Sequence, residues 1–144
     1  MKLLWVPTVA QIIDANKKIC VDGGNPHQVL NRDRIESSIH SAFYPGSAPF
    51  AAGGIAGIAS ALAFYLIKGH AFQDGNKRTA TVVAVAFMNV HSWDLKYPFD
   101  ESKDVNDLAN IIDKAAASEV SKDQLKDWFE GHKITFDMLG LFKF

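Results

Sequence analysis

The sequence predicts an all-α fold: a compact bundle of about six helices with a short flap, built as one domain over residues 1–144. Three observations predict it. Apolar residues recur at three- and four-residue spacing in segment after segment, the spacing of one helix face. Breaks rich in glycine or proline punctuate those segments, as at Asp22-Gly23-Gly24-Asn25-Pro26 and Tyr44-Pro45-Gly46. Residues Ala80–Val90 are apolar on nearly every side, which suits a central, buried helix.

The first helix follows Pro7-Thr8, with Thr8 as its cap and Val9, Ile12, Ile13 and Ile19 at helical spacing. The turn cluster from Asp22 to Pro26 ends it. Asn31-Arg32-Asp33 opens a short second helix with Ile35 and Ile39 on one side. The stretch Phe43–Phe50 holds two prolines and a glycine, so it reads as a loop or flap carrying three aromatic residues. Helical spacing resumes from Ile55 to Lys68, and Gly69 stands where a C-terminal glycine belongs. After a loop over His70–Asp74 the chain restarts near Asn76. The valines of Ala80–Val90 also suit a buried strand, but length and the alternation of alanine with larger residues favour helix. A turn region follows over Ser92–Pro98. A helix over Val105–Ala117 presents Leu108, Ile111, Ile112 and Ala115, and Ser121-Lys122-Asp123-Gln124 caps a last helix that Gly131 ends. The apolar tail Ile134–Phe144 is expected to pack on the body or on a partner.

Length suffices for a real hydrophobic core. The chain carries 15 basic and 16 acidic residues, a net charge of −1. That balance gives no broad field for nucleic acid, so direct nucleic-acid binding is not expected and capture must come from a local site. Cys20 is the only cysteine, which excludes an internal disulfide and fits a reducing cytoplasm. The apolar run in Met1–Pro7 is too short for a secretory signal. From Ser47 to Ile67 no residue is charged, but glycines and alanines dominate and no membrane span is expected.

The chemistry concentrates in His70-Ala71-Phe72-Gln73-Asp74-Gly75-Asn76-Lys77-Arg78-Thr79. A loop entering a helix exposes backbone N–H groups that lack partners inside the helix and gather at its positive end. Such an end accepts phosphate. Neutral His70 could take a proton from an attacking hydroxyl; a lone histidine would more often be a simple cap. Phe72, alternating with His70, points into the core as an anchor. Asp74 is by itself an ordinary helix cap, yet beside phosphates it can hold Mg²⁺, which takes one or two carboxylates plus phosphate oxygens. Gly75 lets the backbone approach a ligand. Asn76 could bond a phosphate oxygen or act as the cap. Lys77 and Arg78 are cations in a first helical turn, disfavoured by about 0.3–1 kcal/mol unless an anion answers them. Arg78 has the planar fork that grips oxygens bidentately. Lys68 could help with phosphate, and equally could sit at a helix end where a cation is favoured. His27, His40, His91 and His132 are scattered, with no pair at metal-binding spacing.

His70-x-Phe72-x-Asp74-Gly75-Asn76-Lys77-Arg78 resembles the motif of the Fic/Doc family, and the Doc (death-on-curing) branch most closely. Fic adenylyltransferases carry glycine where Lys77 stands and arginine where Thr81 stands; Asn76-Lys77-Arg78-Thr79-Ala80 is the Doc form. Gly75 leans the other way, since Doc proteins often have alanine there. The resemblance spans Trp5 to Phe129. It implies an all-α bundle whose flap registers a target peptide, and an enzyme using ATP and Mg²⁺. Doc toxins move the γ-phosphate to a threonine of elongation factor Tu and are held in check by an antitoxin protein; Fic proteins move AMP instead. It implies His70 as base, Asp74 as metal ligand and Asn76, Lys77 and Arg78 as phosphate cradle. The inhibitory (Ser/Thr)-x-x-x-Glu-(Gly/Asn) pattern of many Fic proteins fails at Lys126, so restraint is expected from a separate chain. A non-catalytic interaction protein and a metal-dependent phosphohydrolase are the readings from other classes.

Overall fold

The computed structural model describes residues 4–44, 54–96, 99–100 and 105–135. Helix α1 (Val9–Asp22) starts with a reciprocal capping box: Thr8 Oγ1 accepts from the Gln11 N–H, and the Gln11 side chain accepts from the Thr8 N–H. A cap of this kind is worth about 1 kcal/mol. One stripe of α1 is buried, Ile12, Asn16 and Cys20, and the middle member is polar. Gly23 and Gly24 end the helix as their spacing predicts, and Gly24 takes a left-handed φ of 70°.

Asn31 caps α2 (Arg32–Phe43), accepting from the Arg34 N–H. Phe43, read from sequence as flap, belongs to the core. It is fully buried and meets Phe87 edge-on at 5.3 Å between ring centres. The rest of the expected flap, beyond Tyr44, lies outside the described residues.

The centre of the bundle is α3 (Gly54–Gly69). Its alanines and Gly57 leave it slim, so that α2, α4 (Asn76–Val90), α5 (Asp107–Ala116) and α6 (Lys122–His132) all pack against it. Ala56 to Ala63, Leu66 and Ile67 are buried in consequence. This central role was expected of Ala80–Val90 as well, and there the structure differs. That segment is a helix and not a strand, but Val82 and Val90 are about half exposed, and burial is confined to the face bearing Thr79, Ala80, Val83, Ala84, Phe87 and Met88. Among the described residues no helix is long and apolar enough to cross a membrane.

After α4 come elements the spacing did not reveal. Strand β1 (Trp93–Leu95) pairs antiparallel with β4 (Lys133–Thr135), Trp93 opposite Thr135. Strand β2 (Phe99–Asp100) pairs with β3 (Val105–Asn106). Two or three residues are too few to display an alternating period. The fifth helix accordingly begins at Asp107, two residues later than expected, with Asn106 accepting from the Ala109 N–H as its cap. The Ser121–Gln124 capping box opens α6 as read, though Gly131 lies inside the helix, which ends at His132. Of the apolar tail, residues 134 and 135 are described, and Ile134 on β4 is about two-fifths exposed; residues 136–144 lie outside the described residues.

Candidate active site

The chain breaks between α3 and α4 where the sequence says it must. The Gly69 carbonyl, at the end of α3, accepts from the Arg34 guanidinium of α2 at 2.8 Å. Gly69 ends α3, and the left-handed residue comes one position later: His70 has φ 46°. A Cβ added to Gly69 would meet ordinary van der Waals contacts with Ser38 and Arg34. The backbone strain at this corner thus falls on the histidine, and a non-glycine residue so held costs on the order of 1 kcal/mol. Strain kept on a residue with acid–base chemistry is a mark of a working site. His70 is exposed.

Residues 71–73 are then held in extended form by the segment that links α1 to α2. The Leu30 N–H and Asn31 N–H donate to the Ala71 carbonyl, and the Gln73 N–H donates to the Gln28 carbonyl. Phe72 turns inward and is buried, the anchor its alternation with His70 implies. Asn76 behaves differently from expectation. Its amide Nδ2 donates to the Phe72 carbonyl at 2.8 Å, and its Oδ1 accepts from the Phe72 N–H at 3.1 Å. Both bonds close the loop on the Phe72 backbone, so Asn76 contributes shape; the phosphate contact read from sequence would fall to the second N–H of the same amide.

Asn16 was not singled out by the spacing of the first helix, and it is the hub beneath the loop. It is fully buried. Its Nδ2 donates to the Asp74 carbonyl at 2.8 Å and to Thr79 Oγ1 at 3.0 Å. Its Oδ1 lies 2.8 Å from His27 Nδ1, which must carry the proton of that contact. The available signal was its position between Ile12 and Cys20 on an apolar stripe, where an amide must find partners.

Gly75 is the N-cap residue of α4, with φ 77° and no side-chain cap on the first turn. A Cβ there would lie 3.0 Å from Asn16 Nδ2 and 3.4 Å from Cys20 Sγ. Glycine is required twice over, by the left-handed backbone and by the crowding. The Thr79 N–H makes the first intrahelical bond, to the Gly75 carbonyl. The uncapped amides before it form the positive end of α4.

These groups face a cavity of about 790 Å³ between the end of α1, the loop, α4 and α5. His70, Asp74, Gly75, Asn76, Lys77 and Arg78 all line it. Leu108 and Ile112 of α5 and Ile67 of α3 supply an apolar wall. Lys77 Nζ reaches across to Asp113 of α5 at 2.9 Å. Arg78 is exposed, points toward Gly23, and forms no ion pair among the described residues. Lys68 is the predicted residue the cavity leaves out. Its ammonium donates to Ser118 Oγ at 2.6 Å and lies 3.5 Å from the Ala116 carbonyl, so it answers the negative end of α5 and not a phosphate.

The Asp74 carboxylate is exposed, and its Oδ1 accepts from the Gly75 N–H at 2.8 Å. No cluster of three or more acidic, histidine or cysteine side chains that could cage a metal occurs among the described residues. One exposed carboxylate beside the open N-terminal end of a helix fits Mg²⁺, which completes its shell with water and substrate oxygens. Cys20 lines the same cavity at its floor. Burial, and second the nearby Asp74 charge, push its thiol pKa up, so it is a poor nucleophile.

A base-capable side chain, a carboxylate, two cations and a bare helix start, sharing one cavity, define a site for transfer from a phosphorylated donor to an acceptor. Residues 8–88, more than half of the chain, match the Fic/DOC family, and the chain belongs to it. Membership makes it a Fic-type transferase, an enzyme class that moves a nucleotide or a phosphate onto proteins. No match is found among curated proteins. The matched residues include the whole motif and end within α4, so the α5 wall of the cavity, Asp113 included, lies beyond them.

Proposed function

We propose that this protein is the Doc-like toxin of a toxin–antitoxin pair, and that it transfers the γ-phosphate of ATP to a threonine or serine hydroxyl of a target protein such as elongation factor Tu. The observation that carries the reading is Lys77. It occupies the first turn of α4 where adenylyltransferases have glycine, and it lines the cavity shared with His70. A side chain there fills the space beside the helix end and adds charge. ATP then binds in the reverse sense, presenting its γ-phosphate to His70 in place of its α-phosphate.

The reaction follows from the groups at hand. Neutral His70 takes the proton of the target hydroxyl. The hydroxyl oxygen bonds to the γ-phosphorus, the bond from that phosphorus to its bridging oxygen breaks, and ADP leaves with the electron pair. Arg78 and the α4 amides hold phosphate oxygens. Asp74 would hold Mg²⁺, which supplies neutralisation of the charge on the phosphates. Restraint comes from a separate antitoxin chain, in keeping with Lys126 at the place an internal inhibitory motif would need serine or threonine.

AMP transfer is the second reading, and Gly75 favours it, since this glycine is the Fic form and its backbone and crowding admit little else. Incubation of purified protein and elongation factor Tu with ATP labelled at either phosphate separates the two. Label transferred from γ-labelled ATP alone is expected. Label from α-labelled ATP alone overturns the kinase reading. Expression of His70→Ala tests catalysis itself: growth arrest that persists unchanged points to a non-catalytic interaction protein.

A further inference from the structure

The two first-turn cations of α4 are not in the same situation. Arg78 forms no ion pair among the described residues, whereas Lys77 is already answered from within the chain. Its Nζ lies 2.9 Å from Asp113 Oδ1. Asp113 comes from α5, which presents Leu108, Ile112 and Ala115 to the core and so turns the residue after Ile112 toward the cavity rim. Both side chains are more than half exposed, 55% and 61%, so water can open the pair at little cost. Both line the cavity where the phosphates of a donor would lie. A phosphate and the Asp113 carboxylate therefore compete for one ammonium.

The geometry points to Asp113 as the residue that sets nucleotide affinity: it is a built-in counter-anion for Lys77 that an incoming phosphate must displace. This rests on the nucleotide reading above and goes beyond it, because Asp113 lies outside the motif and outside the residues that match the family. The carboxylate has two effects. With the cavity empty it holds Lys77 extended toward α5 and away from the α4 amides. With phosphate bound it is a like charge at the rim, left without its partner. Each effect weakens binding, and the first acts only through Lys77. No bond is made or broken; the exchange is of one anion for another at Lys77 Nζ.

The test is calorimetric titration of the intact protein with the β,γ-imido analogue of ATP and Mg²⁺, on the wild type, Asp113→Asn, Lys77→Met and the double variant. Asp113→Asn is expected to bind about 3- to 10-fold more tightly than wild type, the size of one screened ion pair plus a nearby like charge. In the Lys77→Met background the same change is expected to yield less than half of that gain on a logarithmic scale. Circular dichroism melts of all four proteins establish that each is folded, which two exposed positions favour. Equal or weaker binding by Asp113→Asn, with the wild type binding, overturns the inference alone. A gain undiminished in the Lys77→Met background also overturns it, since the carboxylate would then act by general repulsion. A wild type that binds no nucleotide overturns the transfer reading and this inference with it.

Discussion

Asn16 Nδ2 donates to the Asp74 carbonyl at 2.8 Å, across 58 residues of sequence. This bond ties the first helix to the loop proposed to carry the chemistry. The same amide holds Thr79, and the opposite end of the side chain meets His27. The loop is thereby fixed from below by a polar group in an apolar stripe. Asn16→Ala takes a donor from the half-buried Asp74 carbonyl, which keeps only the 3.7 Å thiol contact of Cys20, and from the buried Thr79 hydroxyl. Unsatisfied groups of this kind cost about 1–3 kcal/mol each. We expect a loss of about 2–4 kcal/mol in urea denaturation, together with weaker Mg²⁺-dependent nucleotide binding by the fraction still folded. A loss under about 1 kcal/mol would show that the loop holds its shape without the hub.

His70 combines the proposed base and backbone strain in one residue. Its φ of 46° suits glycine better than any side chain. Two variants separate the contributions. His70→Ala removes the imidazole and keeps a Cβ in the left-handed conformation, whereas His70→Gly removes both. We expect neither to transfer phosphate, and we expect the glycine variant to exceed the alanine variant in stability by about 1 kcal/mol. Thermal melts decide it. Equal stabilities would mean that the corner relaxes once the histidine is gone.

The helices were legible because each carried its own local grammar. Thr8 and Ser121 are caps in both sequence and structure, Asn31 opens α2 where the sequence starts it, and Gly23-Gly24 stops α1 as its composition requires. The motif was legible for the same reason, since its residues are contiguous. What escaped notice lies far apart in sequence and meets only through packing. Asn16 and Asp74 are one case, and Lys77 and Asp113, 36 residues apart, are another. The first-turn cations at 77 and 78 signalled a missing anion; one such anion is Asp113, which no local spacing could name. Lys68 failed as a phosphate ligand because the acceptor it finds, the end of α5, is fixed by tertiary packing. Gly69 does end α3 as its place in the sequence implies, but the left-handed corner falls on His70, which composition could not show.

Gly75 offers a sharper test of the loop than any polar residue. An added methyl group would sit 3.0 Å from Asn16 Nδ2 in a backbone already at φ 77°. The near atom belongs to a buried amide held by its bonds to Asp74, Thr79 and His27, so it has little room to yield. Gly75→Ala is expected to cost about 2 kcal/mol, the sum of left-handed strain and the displaced amide. Its effect should also be non-additive with Asn16→Ala, since the smaller residue removes the clash. Chemical denaturation of the two single variants and the double variant measures the coupling. Strict additivity would mean that the cost is backbone strain alone.

Cys20 makes the site's burial visible to pH. The folded state holds its thiol protonated, with its pKa pushed above the ordinary value of about 8.5 by burial first and the Asp74 charge second. A folded state that keeps a proton the unfolded chain gives up loses stability as pH rises. The contribution is therefore complete below the unfolded thiol's pKa and declines above it, through the folded pKa. Denaturation midpoints of wild type and Cys20→Ala, measured across neutral and alkaline pH, are expected to run parallel below about pH 8 and to converge or cross above it. In the same range iodoacetamide should react with native Cys20 far more slowly than with the unfolded protein, because the thiolate is the reactive form. Asp74→Asn removes the secondary cause and should speed that reaction modestly without approaching the unfolded rate. If native Cys20 alkylates as fast as a free thiol at pH 8, the floor of the cavity is open to solvent and burial is not what raises its pKa.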